Sequence, residues 1–234
     1  MLLKDLRHEV LRANLELQSK GLVLYTFGNA SGISRREGLV VIKPSGVPYE
    51  ELTAETLAVT DLEGKVVEGD LRPSSDLATH LVLYKQFATI GGIAHTHSEY
   101  ATAWAQARQP IPCFGTTHAD YFHGAVPVTN ASSDGEIDSD YEQKTGEVIA
   151  RVFDAIDYAA VAGVLVASHG PFTWGKDALK AAETAVILEM LARTAYLTIG
   201  IDRDAGAISQ ALQDKHYLRK HGTKAYYGQV RNQE

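Results

Sequence analysis

The chain has 234 residues, 45% of them hydrophobic, and a formal net charge of −7. This length predicts a single globular domain over residues 1–234, with an interior large enough for a dry site. The acidic balance and the lack of a dense run of Lys and Arg argue against a nucleic-acid partner. The lone cysteine, Cys113, excludes an intramolecular disulfide and a cysteine-based zinc cluster.

The apolar runs of the sequence predict no membrane partner. The longest uninterrupted run, residues 159–167, is far shorter than the roughly 20 residues that cross a bilayer. The first residues have the pattern of an amphipathic helix and lack the apolar core of a secretory signal. We therefore expect a soluble, cytoplasmic protein.

In the first half of the chain, short strands are expected between two helices. Apolar residues at helical spacing predict a helix over residues 4–20, which Gly21 ends. Strands are predicted over residues 22–25 and 38–43, separated by a turn at Gly28-Asn29. A short helix near Thr53 and a hairpin of residues 57–61 and 65–68 follow. The segment Pro73-Ser-Ser-Asp76 then begins a helix that runs to about residue 87.

The second half repeats this alternation with longer helices. Strands are predicted over residues 91–97, 125–129, 163–167 and 171–174, and helices over residues 98–107, 138–156, 176–199 and 209–221. Residues 228–234 are expected to form a flexible polar tail. The hairpins indicate an α/β domain whose sheet is at least partly antiparallel.

Histidines at strand ends are the main indication of chemistry. His95 and His97 are two residues apart, so their side chains lie on one face of an extended segment. His169 ends another buried strand, and the following Gly170 lets the backbone turn. Three imidazoles leave positions open on a divalent ion, which is typical of a catalytic zinc site. Asp76 is either a fourth ligand, a base beside the metal, or simply a helix-capping carboxylate.

Two hydroxyl-rich turns suggest a phosphorylated small substrate. Ser74 and Ser75 precede a predicted helix, where free N–H groups and the helix dipole attract anions. Ser45 and Gly46 lie in a second such turn, next to the positive charge of Lys43. Either turn by itself is weak evidence, because most serine–glycine turns bind nothing.

Two further segments are rich in titratable groups. Residues 116–121 include His118 and Asp120, and residues 214–228 include His216 and Tyr227. The second segment is also consistent with a solvated basic helix end. Periodicity does not tell which of these side chains face the metal.

Several motifs together resemble the class II sugar-phosphate aldolase/epimerase family, and within it the L-ribulose-5-phosphate 4-epimerases, over nearly the whole chain. The motifs are Ile42-Lys-Pro-Ser-Gly46, Pro73-Ser-Ser-Asp76, Gly91-Gly-Ile-Ala-His-Thr-His97, Gly115-Thr-Thr-His-Ala-Asp-Tyr121, Ser168-His-Gly-Pro171 and Lys215-His-Tyr-Leu-Arg-Lys-His-Gly-Thr-Lys-Ala-Tyr-Tyr-Gly-Gln229. The histidine pair is shared across the family, whereas the Thr-Thr-His-Ala-Asp-Tyr block and the C-terminal motif are specific to the epimerases.

The resemblance implies a three-layer α/β/α fold with a central, largely antiparallel sheet, and a homotetramer with active sites between adjacent subunits. It implies a zinc ion, with manganese or cobalt as possible substitutes, at the residues His95, His97, His169 and Asp76. It assigns the substrate and its phosphate to the residues Gly28, Asn29, Lys43, Ser45, Gly46, Ser74, Ser75 and His216. It assigns acid/base roles to Asp120 and to Tyr227 of the neighbouring subunit.

The implied reaction interconverts L-ribulose 5-phosphate and D-xylulose 5-phosphate by breaking and re-forming the C3–C4 bond. The C4 hydrogen is not acidic, but the C3–C4 bond lies β to the C2 ketone, so retro-aldol cleavage is the accessible route. If the aldehyde fragment turns before it adds again, the opposite C4 configuration results. Arabinose and ascorbate catabolism both use this reaction, and the sequence does not choose between them.

Two alternatives remain at this stage. The aldolases of the family, which act on fuculose 1-phosphate or rhamnulose 1-phosphate, carry a glutamate where this chain has Asp76, so the shorter aspartate favours the epimerase. A non-catalytic interaction domain, as in the adducin head, would have the same fold. The retained histidines, Asp120 and Tyr227 argue against that function.

Overall fold

The computed structural model describes residues 1–138 and 140–227, so the tail predicted over residues 228–234 lies outside the described residues. Within that part of the chain, seven strands form one sheet in the order β4-β3-β2-β1-β5-β7-β6, and every neighbouring pair is antiparallel. The strands are β1 (Asn29–Ser34), β2 (Leu39–Ile42), β3 (Ala58–Asp61), β4 (Val66–Glu68), β5 (Gly92–His95), β6 (Gly163–Val166) and β7 (Gly170–Gly175).

The helices cover both faces of this sheet. They are α1 (Lys4–Ser19), α2 (Leu77–Gln86), α3 (Glu99–Ala107), α4 (Thr116–Ala119), α5 (Asp134–Ile137), α6 (Tyr141–Val152), α7 (Ala178–Ile201) and α8 (Gln210–His221), with a 3-10 turn at Tyr49–Glu51. Helices α1, α2, α3, α7 and α8, and the strands β2 to β7, therefore lie close to their predicted positions.

Alternation along the strands produces the three layers. In β2, Val41 packs with α1 and the first half of α7, whereas Val40 and Ile42 pack with α2 in the opposite core. In β5, Ala94 and Ile93 divide between the two cores in the same way. Successive strand side chains point to opposite faces, so these uniformly apolar strands bury both faces of the sheet.

Three predicted elements were wrong or too long. The strand predicted over residues 22–25 is a loop with Leu24 and Tyr25 exposed, and the first strand is β1, which the turn prediction at Gly28-Asn29 had obscured. β1 is rich in small residues because α1 packs closely on it: a Cβ at Gly32 would lie 2.8 Å from Leu6. Residues 125–129 form only isolated bridges. The helix predicted over residues 138–156 is the shorter α6.

Among the described residues, α7 is long and apolar enough to cross a membrane by length and composition alone. It is the core helix of this fold: residues along its length, such as Ala181 and Leu188, are buried against β5 and β7. The sheet and helix meet closely, since a Cβ at Gly92 would lie 2.4 Å from the backbone of Ala178. The packing of α7 therefore depends on a glycine in β5.

Candidate active site

A cavity of about 390 Å³ opens at one end of the central strands of the sheet. The start of β1 and the end of β5 meet there, since Asn29 is paired directly with His95. The loops after β2 and before α2 complete the wall. The lining includes the predicted metal and loop residues Gly28, Asn29, Lys43, Ser45, Gly46, Ser74, Ser75, Asp76, His95, His97 and His169. Segments that are distant in the sequence thus converge on one cavity.

Three histidines lie together in this cavity. One ring nitrogen from each of His95, His97 and His169 lies within 4.8 Å of the other two, and the Nε2 atoms of His95 and His97 are 3.1 Å apart. The Nδ1 of His95 is 2.9 Å from the carbonyl oxygen of Pro171. Because a carbonyl oxygen only accepts hydrogen bonds, Nδ1 of His95 is the donor to Pro171, and its Nε2 faces the other histidines. The ring of Phe172 stacks on His95 at 4.1 Å and supports this orientation.

The turn before β7 places His169. Residues 167–169 join β6 to β7, and Ser168 adopts the left-handed conformation with φ of 63°. The prediction that Gly170 makes the turn was wrong, because Gly170 is the first residue of β7. Its lack of a side chain is needed for another reason, because a Cβ there would lie 2.7 Å from the carbonyl oxygen of Thr96.

The donor set fits a divalent metal ion. Burial lowers the pKa of His169 to about 4, with a further contribution from His95 and His97, and burial also lowers the pKa of His97. The imidazoles of His97 and His169 are therefore neutral at physiological pH, which is the form that binds metal. Three nitrogen donors within reach of one point, beside a carboxylate, leave positions open for a substrate.

Asp76 faces the cavity and does not cap α2. It directly precedes that helix, but its side chain accepts no hydrogen bond from the helix backbone. Its Oδ2 instead accepts a hydrogen bond from Nδ2 of Asn29 at 2.7 Å. Burial alone would raise the pKa of Asp76, but the nearby His95 and His80 and the Asn29 hydrogen bond hold it below its usual range. The capping alternative was therefore wrong, and Asp76 is a carboxylate available to the site.

The loops opposite the histidines present donors and one positive charge. Gly28 has φ of 72°, and a Cβ there would lie 2.8 Å from the carbonyl oxygen of His95, so only glycine fits. Lys43 is buried and donates to the carbonyl oxygens of Thr26 and Pro44 at 3.2 and 3.4 Å. Burial lowers the pKa of Lys43 to about 8. Since its partners are neutral groups, its charge is available to an anion.

Five residues of the lining were not predicted as site residues: Thr26, Phe27, Pro44, Tyr141 and Glu142. The Tyr141 hydroxyl lies 3.5 Å from Nδ1 of His169, and Phe27 stacks on His97 at 6.3 Å. Neither belongs to a motif. The only signal was the position of Tyr141 near the start of a predicted helix.

The remaining predicted residues lie elsewhere. Asp120, His216 and Tyr227 are not part of the cavity lining. Asp120 accepts hydrogen bonds from Arg219 at 2.7 and 3.0 Å and lies 3.2 Å from Nδ1 of His216. Tyr227 is 59% exposed, and its ring lies 4.8 Å from the guanidinium of Arg219. His216 and Arg219 of α8 thus form a second polar cluster with Asp120, which follows α4, and with Tyr227, which follows α8; we call it the Asp120–Arg219 cluster (Asp120, His216, Arg219 and Tyr227).

Residues 8–196 match the family described as the class II aldolase and adducin N-terminal domain. The chain belongs to this family. It is also 50% identical over 227 residues to proteins of Salmonella paratyphi A and Salmonella typhi named L-ribulose-5-phosphate 4-epimerase UlaF, covering 97% of this chain and 100% of each relative. Among solved structures, an L-fuculose 1-phosphate aldolase is 25% identical with a TM-score of 0.79, covering 94% of this chain and 97% of that chain.

These comparisons confirm the predicted fold class. The three-layer α/β/α arrangement around an antiparallel sheet is the fold of class II aldolases. The histidine cluster of the described residues is compatible with a metal ion, as expected for the family.

Proposed function

We propose that this protein is an L-ribulose-5-phosphate 4-epimerase, which interconverts L-ribulose 5-phosphate and D-xylulose 5-phosphate. The observation that carries this function is the 50% identity, over 97% of the chain, to relatives that bear that name. The chain also presents in one cavity the donors that such a substrate needs: a cluster of three histidines at one side and a hydroxyl-rich, positively charged wall at the other.

The substrate phosphate binds to the loops before α2 and after β2. Ser74 and Ser75 stand at the start of α2, where the helix dipole favours an anion. Lys43 is charged below its pKa of about 8 and contributes a buried positive charge that water screens little. Ser45, Gly46, Gly28 and Asn29 complete this wall.

His95, His97 and His169, with Asp76, are the residues that hold the metal ion. When bound, a divalent cation supplies Lewis-acid stabilisation of the negative charge that develops on the substrate's ketose oxygens. Zinc suits three imidazoles, and manganese or cobalt also accept this donor set. The histidines' own contribution is geometric: the Pro171 hydrogen bond and the Phe172 stack keep His95 oriented before the substrate arrives.

The reaction requires a base and an acid at the C4 oxygen. Removal of the C4 hydroxyl proton lets the C3–C4 electron pair move toward the C2 carbonyl, which gives a three-carbon enediolate and glycolaldehyde phosphate. After the aldehyde turns, C3 attacks its other face and the new alkoxide takes up a proton. The two faces need different residues, and we assign these roles to Asp120 and Tyr227. The phosphate loops keep the aldehyde in the site during the turn.

Asp120, His216 and Tyr227 serve the cavity of an adjacent subunit. This assignment is supported by their location, since they do not line the cavity of their own chain. It requires an oligomer, and we propose a homotetramer. The protein is proposed to act in the cytoplasm on a phosphorylated sugar from arabinose or ascorbate catabolism.

The aldolase alternative has one observation in its favour, the structural similarity to an L-fuculose 1-phosphate aldolase. The identity to that protein is 25%, half of that to the relatives named as epimerases. Asp76, where the aldolases carry the longer glutamate, also favours the epimerase. The adducin-like alternative would give the chain no reason to keep a cluster of three histidines in an open cavity.

A coupled assay tests the proposal. Metal-loaded protein is given L-ribulose 5-phosphate, and D-xylulose 5-phosphate formation is followed while a trap detects free glycolaldehyde phosphate. We expect xylulose phosphate with little trapped aldehyde. Stoichiometric aldehyde release would identify an aldolase, and no reaction by folded, metal-loaded protein would refute the substrate.

A further inference from the structure

One side chain of α8 links both proposed acid/base residues. Arg219 donates from its guanidinium to Oδ1 and Oδ2 of Asp120 at 3.0 and 2.7 Å. The same guanidinium lies 4.8 Å from the ring centroid of Tyr227, and the Arg219 carbonyl accepts a hydrogen bond from the Tyr227 amide at 3.1 Å. We propose that Arg219 is a positioning residue that holds Asp120 and Tyr227 together as one acid/base unit. This inference rests on the proposed function, which assigns those two residues their roles.

The local chain does not orient Asp120 by itself. Asp120 follows the four-residue helix α4, and its carboxylate has no hydrogen-bonding partner in that helix among those described. The planar guanidinium fork determines both the position and the plane of a carboxylate, because two parallel hydrogen bonds leave little rotational freedom. A lysine ammonium would supply the charge without this geometry. Arginine is therefore the residue type that this task requires.

Further side chains of α8 lie close to Asp120. Nδ1 of His216 lies 3.2 Å from Oδ1 of Asp120, and Nε2 of His221 lies 3.0 Å from the Asp120 carbonyl oxygen. Partial burial alone would raise the pKa of Asp120, but hydrogen bonds from Arg219 and His216 and the charge of Lys220 hold it below its usual range. Asp120 is thus ionised at neutral pH.

Tyr227 has cations close to its ring. Besides the guanidinium of Arg219, the Nζ of Lys220 lies 4.7 Å from the ring centroid. A negative charge that develops on the phenol oxygen would interact favourably with both groups. Arg219 is the one of these two cations that also hydrogen-bonds Asp120. Arg219 thus combines direct hydrogen bonds to Asp120 with a position over the Tyr227 ring.

The functional consequence concerns the proton-transfer step. A base and an acid that serve one substrate oxygen must both be held at proton-transfer distance, and a small displacement of either reduces turnover. The phosphate loops and the three histidines of the cavity, His95, His97 and His169, lie outside this cluster. Loss of Arg219 should therefore lower kcat and leave metal content and KM unchanged.

The test compares Arg219→Gln and Arg219→Lys with the control Lys215→Met. Lys215 is an exposed cation of the same helix that lies over the neighbouring Tyr226 at 5.5 Å. We expect Arg219→Gln to lower kcat about 100-fold, the cost of a small misplacement of a reacting group. Arg219→Lys should be intermediate, and Lys215→Met should match the wild type.

The pH profile and a double variant separate positioning from a merely structural role. In both reaction directions the active pair carries one proton, so the acid limb of kcat/KM reports the lower pKa of the pair. Arg219→Gln should move this limb to higher pH in both directions. If Arg219 acts through Asp120, adding Arg219→Gln to Asp120→Asn should cause no further loss of kcat.

Four outcomes would overturn the inference: additive losses in the double variant, unchanged kcat in Arg219→Gln, a rise in KM alone, or an equal loss in Lys215→Met. Circular dichroism checks folding, and if Arg219→Gln does not fold, the same cycle with Arg219→Lys decides. An active wild-type enzyme with an unaffected Arg219→Gln would refute only this inference. A folded, metal-loaded wild type without epimerase activity would refute the proposed function and this inference with it.

Discussion

The cavity and the Asp120–Arg219 cluster are held in place by different forces. In the cavity, His95 is 1% exposed, is paired in the sheet with Asn29 and stacks on a core phenylalanine. The cluster joins α8 to Asp120 at the end of α4, and Gln213 is the only buried residue of α8 as the structure describes it. Hydrogen bonds and charge pairs, and not apolar burial, attach that helix to α4.

This difference suggests that the two regions have different functions. The part proposed to bind metal and phosphate is preorganised by the two cores of a single chain, as a rigid binding site requires. The part proposed to move protons is held by polar contacts of a peripheral helix, and we propose that it completes its site only across a subunit boundary. Substitutions in the cavity and substitutions in the cluster should therefore differ in their effects on metal content, KM and kcat.

The largest loss of activity is expected from a substitution in the cavity. His97→Asn should lose the metal and nearly all turnover, more than about 100-fold, since removal of even a supporting partner of a metal ligand typically costs 10–100-fold. Metal content of the dialysed protein and kcat measure the two effects. A variant that keeps full activity would remove His97 from the ligand set.

The next largest loss of activity is expected from a substitution in the Asp120–Arg219 cluster. Tyr227→Phe should retain metal and KM but lower kcat by roughly 10²–10⁴-fold, the usual contribution of a general acid or base. An unaffected epimerisation rate would remove Tyr227 from the mechanism.

Co-expression of the His97→Asn and Tyr227→Phe chains tests directly whether the two regions contribute to one site. Because the proposed site takes its metal half from one chain and Tyr227 from another, mixed oligomers of His97→Asn and Tyr227→Phe should regain part of the activity that each lacks. Separately purified and unmixed variants are the control. Mixed oligomers without any recovery would contradict the shared site.

A smaller effect is expected from Lys43. The Lys43 ammonium loses its proton as the pH rises through its pKa of about 8, so KM for the sugar phosphate should increase above that pH, with little change in kcat. Lys43→Met should raise KM by about 10-fold or more at pH 7, since a charge-assisted hydrogen bond is worth roughly 1.5–3 kcal/mol, and should abolish this pH dependence. A pH-dependent KM that persists in Lys43→Met would assign the titration to another group.

The smallest effect on catalysis should come from the sheet beneath the cavity. Gly92→Ala would place a Cβ 2.4 Å from the backbone of Ala178 in α7, and we expect a loss of about 1–3 kcal/mol in the free energy of unfolding from overpacking. Gly206→Ala is the control, because nothing lies within 4 Å of its added Cβ. Urea denaturation compares the two, and equal stabilities would show that α7 can move away.

Periodicity and turn chemistry were sufficient for most elements. The helices α1, α2, α3, α7 and α8 lie where the sequence pattern predicts them, α7 and α8 begin at the capping residues Asp177 and Ser209, and β2 and β5 are short apolar runs. β1 was missed because its buried residues are small, and small residues carry little strand propensity. Their presence reflects the close approach of α1, which is a tertiary constraint.

The sequence by itself determined the chemistry of this protein: which segments carry imidazoles, hydroxyls and carboxylates, and which family their spacing resembles. Which of these groups lie close together depends on the tertiary structure. Residues as distant as Asn29 and His169 enter one cavity because antiparallel pairing brings β1, β5 and β7 together. Tyr141 joins them without any motif, whereas Asp120 and Tyr227 lie outside. Proximity across a sheet depends on strand order and packing, which local periodicity does not encode.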